Sequence, residues 1–404
     1  IHVDREKRLL RYCGPSHSPS SIPHFYDGKM YLGEWDRILH AIDLSYPQDY
    51  TIVADFTQMG TVSPSHYGQV PCGFLHRKGT LYTVLTSPHV ELLPLPPFAK
   101  LKKRALSAWQ DSNMTKEKQR KACLAEKIPA YANNPMLRLI SEDNAQPRPR
   151  LNGTALEVLA DESAYYVAGN AKGQQFLKIP FAGNDPKKLQ LPKANRHRLK
   201  WVGKKILVHM AFGFRDADSS LLVVDSQSMK STHTIVYQAA KTGLWSLVKD
   251  KLVYVVGTNQ LLRFDTKTGR VKKADYEGLK ACPKELAGTI WTIALYQRGA
   301  FSERCPILLQ YDFNLKKLAE YKLRSVATVE SVGNCHIVGI SDNTLIGVFS
   351  DRVFGYDLKR KVKSWDYRIH HSTCHFEPLL HNGTLYVSDK VGILALPLFP
   401  RSSQ

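Results

Sequence analysis

The residues best suited to chemistry fall into three groups. His370, His371, Cys374, His375 and His381 form the densest set of metal-type ligands. Zinc needs four such groups converging at about 2.0–2.3 Å. On an extended strand His371 and His375 share one face and His370 and Cys374 the other. Two ligands on one face still need partners from elsewhere, so the spacing reads as a polar inner strand. Asp216 and Asp218 in FRDADSS open like a calcium loop, but the later Gly and Glu of that frame are missing. No Gly-rich phosphate loop, GxSxG elbow or HExxH is present. No catalytic, cofactor or metal residue is therefore assigned, and a non-enzymatic role is expected.

The third group is basic, and it carries the strongest signal. Residues 100–150 hold 12 Lys/Arg against 5 Asp/Glu, and residues 187–205 hold 8 Lys/Arg with no acidic residue. Together they supply +15 of a net charge of +20, so the charge is concentrated. The candidate contact residues in the first segment are Lys102, Lys103, Arg104, Trp109, Arg120 and Lys121. In the second they are Lys187, Lys188, Lys193, Arg196, Arg198, Lys200, Trp201, Lys204 and Lys205. Interspersed aromatic residues suit stacking or cation–π contact. Such a surface attracts an acidic protein face, nucleic acid or anionic lipid headgroups. No motif for base-specific readout accompanies it.

The elements that must carry these residues are short β-runs. Ile22 to Leu44 and Phe376 to Phe399 share one grammar, with Asp27-Gly28 answering Asn382-Gly383 between apolar runs. Both central residues of such a hairpin turn need φ > 0, which makes the dipeptides strong hairpin signals. The unit recurs, anchored at the end of its second β-run on Asp43, Pro96, Pro180, Asp225, Asp265, Asp312, Asp357 and Pro397. The spacings are 53, 84, 45, 40, 47, 45 and 40 residues. Apart from the 84, they fit a unit of four short strands. Such a sheet alone leaves two open edges and cannot cover both faces, whereas radial repetition covers each face with a neighbour.

The expected fold is therefore an all-β propeller of eight blades, with seven as the other count. The N-terminal strand, Lys7 to Tyr12, is expected to complete the blade built by the C-terminal strands. The 84-residue gap holds a basic insertion at 100–150, rich in helix formers in its first half and in proline in its second. The whole chain, 1–404, is read as one propeller domain with that insertion between the second and third repeats.

Composition agrees with a folded chain: hydrophobic residues make up 43% and aromatic residues 10%, ample for a core. No window approaches 18 uninterrupted apolar residues, so no transmembrane helix is expected. The seven cysteines lack a CxxC pair and read as buried thiols of a reducing, cytoplasmic compartment. The sequons at Asn113, Asn152 and Asn382 keep open a secreted or periplasmic location with a signal peptide already removed.

The repeat resembles the eight-bladed propellers of the PQQ-type quinoprotein family and its non-enzymatic relatives. The likeness rests on an apolar run, Asp/Asn-Gly, a Tyr-centred β-run, and a second β-run ending in Asp. Blades of that family often continue into Thr-Gly-Lys and a docking Trp eight residues after the Asp. Here Thr268 and Gly269 follow Asp265 but Lys273 replaces the Trp, whereas Asp357 has Trp365 at the right distance. The resemblance implies, for the enzymes of the family, PQQ and Ca²⁺ held by acidic ligands over the central axis. The repeat aspartates are strand terminators and no Cys-Cys pair is present, so the non-enzymatic branch is the expected one, with no cofactor.

Overall fold

The computed structural model describes residues 2–3, 9–12, 23–33, 38–44, 49–55, 70–86, 90–95, 104–105, 158–169, 175–182, 185–192, 194, 196–211, 218–239, 246–276, 278, 282–296, 305–323, 326, 335–341, 343–349, 352–369, 378–389 and 392–399. Every regular element among them is a β-strand, and all pairings are antiparallel. Sheet one comprises His24–Tyr26, Lys29–Gly33, Ile38–Asp43 and Asp49–Asp55. Sheet two has three strands, Val70–Arg77, Thr80–Thr86 and Glu91–Pro94. Sheet three follows as Val158–Ala160, Ala164–Ala168, Gln175–Pro180 and Lys187–Gln190. Sheet four is Arg196–Val202, Lys205–Ala211, Asp218–Asp225 and Ser231–Gln238.

Sheet five contains Ser246–Lys249, Leu252–Gly257, Gln260–Asp265 and Val271–Asp275. Sheet six contains Lys284–Leu286, Thr289–Tyr296, Cys305–Tyr311 and Lys317–Lys322. His336–Ser341, Thr344–Phe349, Arg352–Asp357 and Val362–Arg368 make sheet seven. Sheet eight takes Leu379–His381, Thr384–Asp389 and Gly392–Phe399 from the C-terminus. The N-terminal strands Leu9–Tyr12 and His2–Val3 both pair with Gly392–Phe399 and complete it, as expected. Seven sheets thus have four or five strands and one has three. Counted by its sheets of four or five strands the propeller has seven blades, the second of the two counts expected from the sequence rather than eight, because sheet two has only three strands.

The sheets close on themselves through their innermost strands. His24 and Tyr26 of sheet one stack against Phe74 and His76 of sheet two, with ring centroids 5.8 and 4.6 Å apart. Lys200 of sheet four donates to the Ser246 carbonyl of sheet five. Lys249 of sheet five lies 2.7 Å from Glu285 of sheet six. Phe25 of sheet one stacks on His381 of sheet eight at 4.2 Å, which shuts the ring. The arrangement is a β-propeller.

Hydrophobic burial explains why the strands read as continuous apolar runs. Ala164, Tyr165, Tyr166, Val167 and Ala168 are all buried, but they serve two clusters. Tyr165 and Val167 pack with Leu75 and Val84 of sheet two. Tyr166 and Ala168 pack with Leu199, Ile206 and Val208 of sheet four. A strand covered on both faces loses the alternation of a half-exposed one. The same sharing recurs between sheets four and five, five and six, six and seven, and seven and eight. Trp365 packs against the cluster that sheets seven and eight share, with its ring over Gly355 of its own sheet. Lys273 is exposed, and no comparable anchor stands at its position.

Local geometry sets the hairpins. Asp27 and Gly28 have φ of 48° and 65°, and Asn382 and Gly383 have 46° and 72°, as the two dipeptides require. Elsewhere glycine is needed for space. A Cβ at Gly347 would lie 2.4 Å from the ring of Phe354, which is fully buried and stacked on Phe349. Gly347→Ala is expected to lower unfolding stability by about 1–3 kcal/mol through overpacking. Gly339→Ala, whose added carbon would meet nothing closer than 3.8 Å, is expected to change it little. Urea titration of both variants checks the contrast.

Candidate interaction surface

In sheets one and three to seven the first-to-second and third-to-fourth connections lie at the same end of the ring, here called the turn face. They are tied together by a repeated backbone bond. The residue after the anchor position donates its N–H to a carbonyl of the first turn: Leu44 to Gly28, Thr266 to Lys251, Leu358 to Asn343 and Leu398 to Gly383, at 2.7–3.1 Å. The anchor aspartates then fold the next turn. Asp225 accepts from the amides of Gln227 and Ser228, Asp265 from Lys267 and Thr268, Asp312 from Asn314 and Lys316, and Asp357 from Lys359 and Arg360. This is the strand-terminating role expected of them. The amide and then the hydroxyl of Ser228 hold the Asp225 carboxyl below its ordinary value.

These bonds sort the charges by depth. The anchor carboxylates are half-buried against backbone amides, whereas Lys187, Lys204, Lys230, Lys267, Lys316 and Lys359 of the same turns are exposed. The turn face is therefore cationic on balance, with Asp27, Glu162, Asp185 and Asp250 exposed among the more numerous lysines. Lys230, Arg270 and Lys317 each stand five residues after an anchor aspartate. Counting charged runs overlooks them because they are spread one blade apart. Their fixed distance from the anchor is the signal that finds them.

The basic residues picked from sequence separate into distinct places. Lys187 and Lys188 open the outermost strand of sheet three and are exposed, and Lys204 is exposed in the first turn of sheet four. Lys205 begins the next strand, half-buried, where its charge helps lower the Asp225 carboxyl. Arg198 and Lys200 lie on the innermost strand of sheet four, half-buried, on the face turned toward sheet five. Trp201 is half-buried and meets Tyr166 edge-on at 5.4 Å, so its ring holds two sheets together. Arg196 belongs to that innermost strand by its backbone.

Arg104 pairs through its backbone with Tyr50, and Ala105 with Asp49, at the turn-face end of sheet one's outer strand. Lys102, Lys103, Trp109, Arg120, Lys121 and Lys193 lie outside the described residues, as does the rest of the 100–150 insertion and its expected helices. So do His370, His371, Cys374 and His375; the fifth member of that cluster, His381, stacks on Phe25. Asp216 is likewise outside, and Asp218 is exposed at the start of a strand. Cys282 and Cys335 are buried thiols.

A cleft of about 730 Å³ opens on the turn face between sheets two and three. Arg77, Glu162, Phe181, Asp185 and Lys187 line it, with Lys178 and Pro180. The Arg77 guanidinium lies 4.1 Å over the Phe181 ring. Lys178 donates to the Ser226 carbonyl at 2.8 Å. Asp161 fixes the wall: its carboxylate accepts from Ser163 and Ala164 and, at 2.7 Å, from the Tyr166 hydroxyl. Sequence reading missed this cleft, since its residues come from three turns far apart in the chain.

Behind Arg198 and Lys200 is a buried polar pair. His209 Nε2 and the Tyr237 hydroxyl are 2.5 Å apart, while His209 Nδ1 carries no hydrogen bond. Burial, with Lys200 and Arg198 adding, pushes the His209 imidazole down to about 3. Burial pushes His197 down to about 4.

No family model matches this chain, and no curated protein matches it. Solved structures do. One is BamB from Moraxella catarrhalis, at a TM-score of 0.57 and 11% identity, over 97% of this chain and 99% of that one. Another is Sqt1 from Saccharomyces cerevisiae, at a TM-score of 0.54 and 10% identity, over 96% of this chain and 98% of that one. The likeness is one of fold. Both alignments run nearly end to end. No helix among the described residues is long and apolar enough to cross a membrane.

Two outcomes follow for the turn face and the wall behind it. Asp265→Ala, which removes the acceptor of two amides, is expected to cost about 1 kcal/mol, and Asp265→Asn less; thermal unfolding of the pair measures it. His197 and His209 stay neutral when folded but take up protons near pH 6.5 when unfolded. The unfolded state then binds more protons, so stability is full above about pH 7 and falls as pH drops from 6.5 toward 4. Each proton contributes about 1.4 kcal/mol per pH unit. Urea midpoints between pH 7 and 4.5 should show a shallower fall in His209→Gln.

Proposed function

We propose that this chain is a non-catalytic propeller scaffold that binds a protein partner with an acidic surface through its turn face. The observation that carries the reading is the sorting of charge by depth in the anchor turns of sheets four to seven, with the anchor carboxylates drawn onto turn amides and the lysines of those turns left outermost. A rigid ring presenting cations from successive blades offers a broad surface, which suits a folded partner better than a small ligand. Lys187 and Lys204 belong to this surface, and Arg104 starts the 100–150 insertion at the same end of the ring. The insertion is proposed to extend the contact. The end-to-end fold likeness to BamB and Sqt1 supports a propeller that works as a whole.

The test is charge reversal. Lys187→Glu, Lys204→Glu, Lys230→Glu and Lys267→Glu, combined, are expected to lower capture of the partner at least tenfold while the unfolding midpoint stays within a few degrees. Affinity capture with mass spectrometry reads the first, and calorimetry the second. A partner retained by the reversed protein would sink the proposal. A 30-base-pair DNA duplex serves as the competing probe: binding to it that falls steeply with salt, and is lost on reversal, would favour a polyanion ligand instead.

A further inference from the structure

The outermost strands of the propeller differ in how they guard their free edges. Lys187–Gln190 reads KKLQ, Val271–Asp275 reads VKKAD, Lys317–Lys322 reads KLAEYK and Val362–Arg368 reads VKSWDYR. Each carries lysine, the residue with which natural sheets block pairing by another chain. The outermost strand of sheet four does not. Ser231–Gln238 reads STHTIVYQ, eight residues long and without a charged side chain. It is rich in β-branched residues and, apart from Gln238 at its end, whose carbonyl accepts from the Thr258 N–H at 2.8 Å beside a bridge of Ala239 to Gly257, has no pairing partner on its outer side among the described residues.

Its side chains divide by face. His233, Ile235 and Tyr237 turn toward sheet five, where Ile235 and Tyr237 join the shared core and His233 meets Phe264. Thr232, Thr234, Val236 and Gln238 face the other way and are exposed. Val236 is 65% exposed, more than any other large hydrophobic residue among those described. The neighbouring outermost strand on that side, Lys187–Gln190, has only four residues, too few to cover an eight-residue face. The fold also accommodates a fifth strand on an outer edge, because Arg104–Ala105 adds to sheet one in that way.

We propose that the outer edge of Ser231–Gln238 receives an extended segment of a partner protein as a fifth strand of sheet four. Main-chain bonds would supply the pairing, and apolar or β-branched side chains opposite Thr234 and Val236 the selectivity. The segment would carry acidic residues at its ends. Lys230 precedes the strand, and Lys187, Lys188, Lys272 and Lys273 stand on the outermost strands to either side. The same lysines argue against a second copy of this chain, whose edge would bring identical charges. This contact stands apart from the turn face and holds or fails independently of it.

The test uses the full chain and a fluorescein-labelled peptide, Glu-Glu-Thr-Val-Thr-Val-Thr-Val-Glu-Glu, read by anisotropy. Saturable binding is expected, weakened at least tenfold when alternate peptide nitrogens are methylated and at least tenfold by Val236→Asp. Val271→Asp on the neighbouring strand is expected to leave it within twofold. Absence of binding, equal binding of the methylated peptide, or an equal loss with Val271→Asp would each overturn the proposal. So would a doubled mass in light scattering that Val236→Asp returns to that of one chain.

Discussion

Every sheet in this protein has two apolar faces and a neighbour on each side to cover them. That requirement is the constraint on which the rest of the structure depends. A lone four-stranded sheet built of AYYVA and LLVVD would expose half of those residues to water. The ring answers by placing each cluster between sheets rather than within one. Covering both faces also sets the chain's periodicity, since it forbids the apolar–polar alternation of an ordinary surface sheet.

Polar groups follow the same geometry. Where strands end, the anchor aspartates cap the following turn and the first turn accepts a bond from the residue after the third strand. The repeated use of one device fixes the turns and so fixes where their lysines point. On the innermost strand of sheet four the outcome is different. Arg198 and Lys200 lie against a buried imidazole whose proton affinity they help suppress. Basic residues close together in sequence thus do unlike work, some facing solvent and others facing sheet five.

The parts of the fold that depend on local geometry were legible in the sequence. Asp27-Gly28 and Asn382-Gly383 marked their hairpins because few residue pairs accept positive φ. The anchors at Asp225, Asp265, Asp312 and Asp357 marked the ends of third strands because the turn needs that carboxylate. The candidate surface was less legible. Strand alternation tells that Arg198 and Lys200 share a side, but not that the side faces sheet five. Trp201 was read as a stacking residue, and its packing on Tyr166 depends on a sheet thirty-odd residues upstream. The cleft walled by Arg77, Glu162 and Phe181 depends on which sheets become neighbours, and no single stretch encodes that.

Closure by Leu9–Tyr12 and His2–Val3 against Gly392–Phe399 means that one of the sheets is assembled from chain segments almost four hundred residues apart. The ring therefore already contains one seam held by hydrogen bonds and packing without a covalent link across it. A protease nick in an exposed connection elsewhere would add a second seam of the same kind. The circular arrangement would remain clasped after such a cut, and the two fragments would part only once denatured.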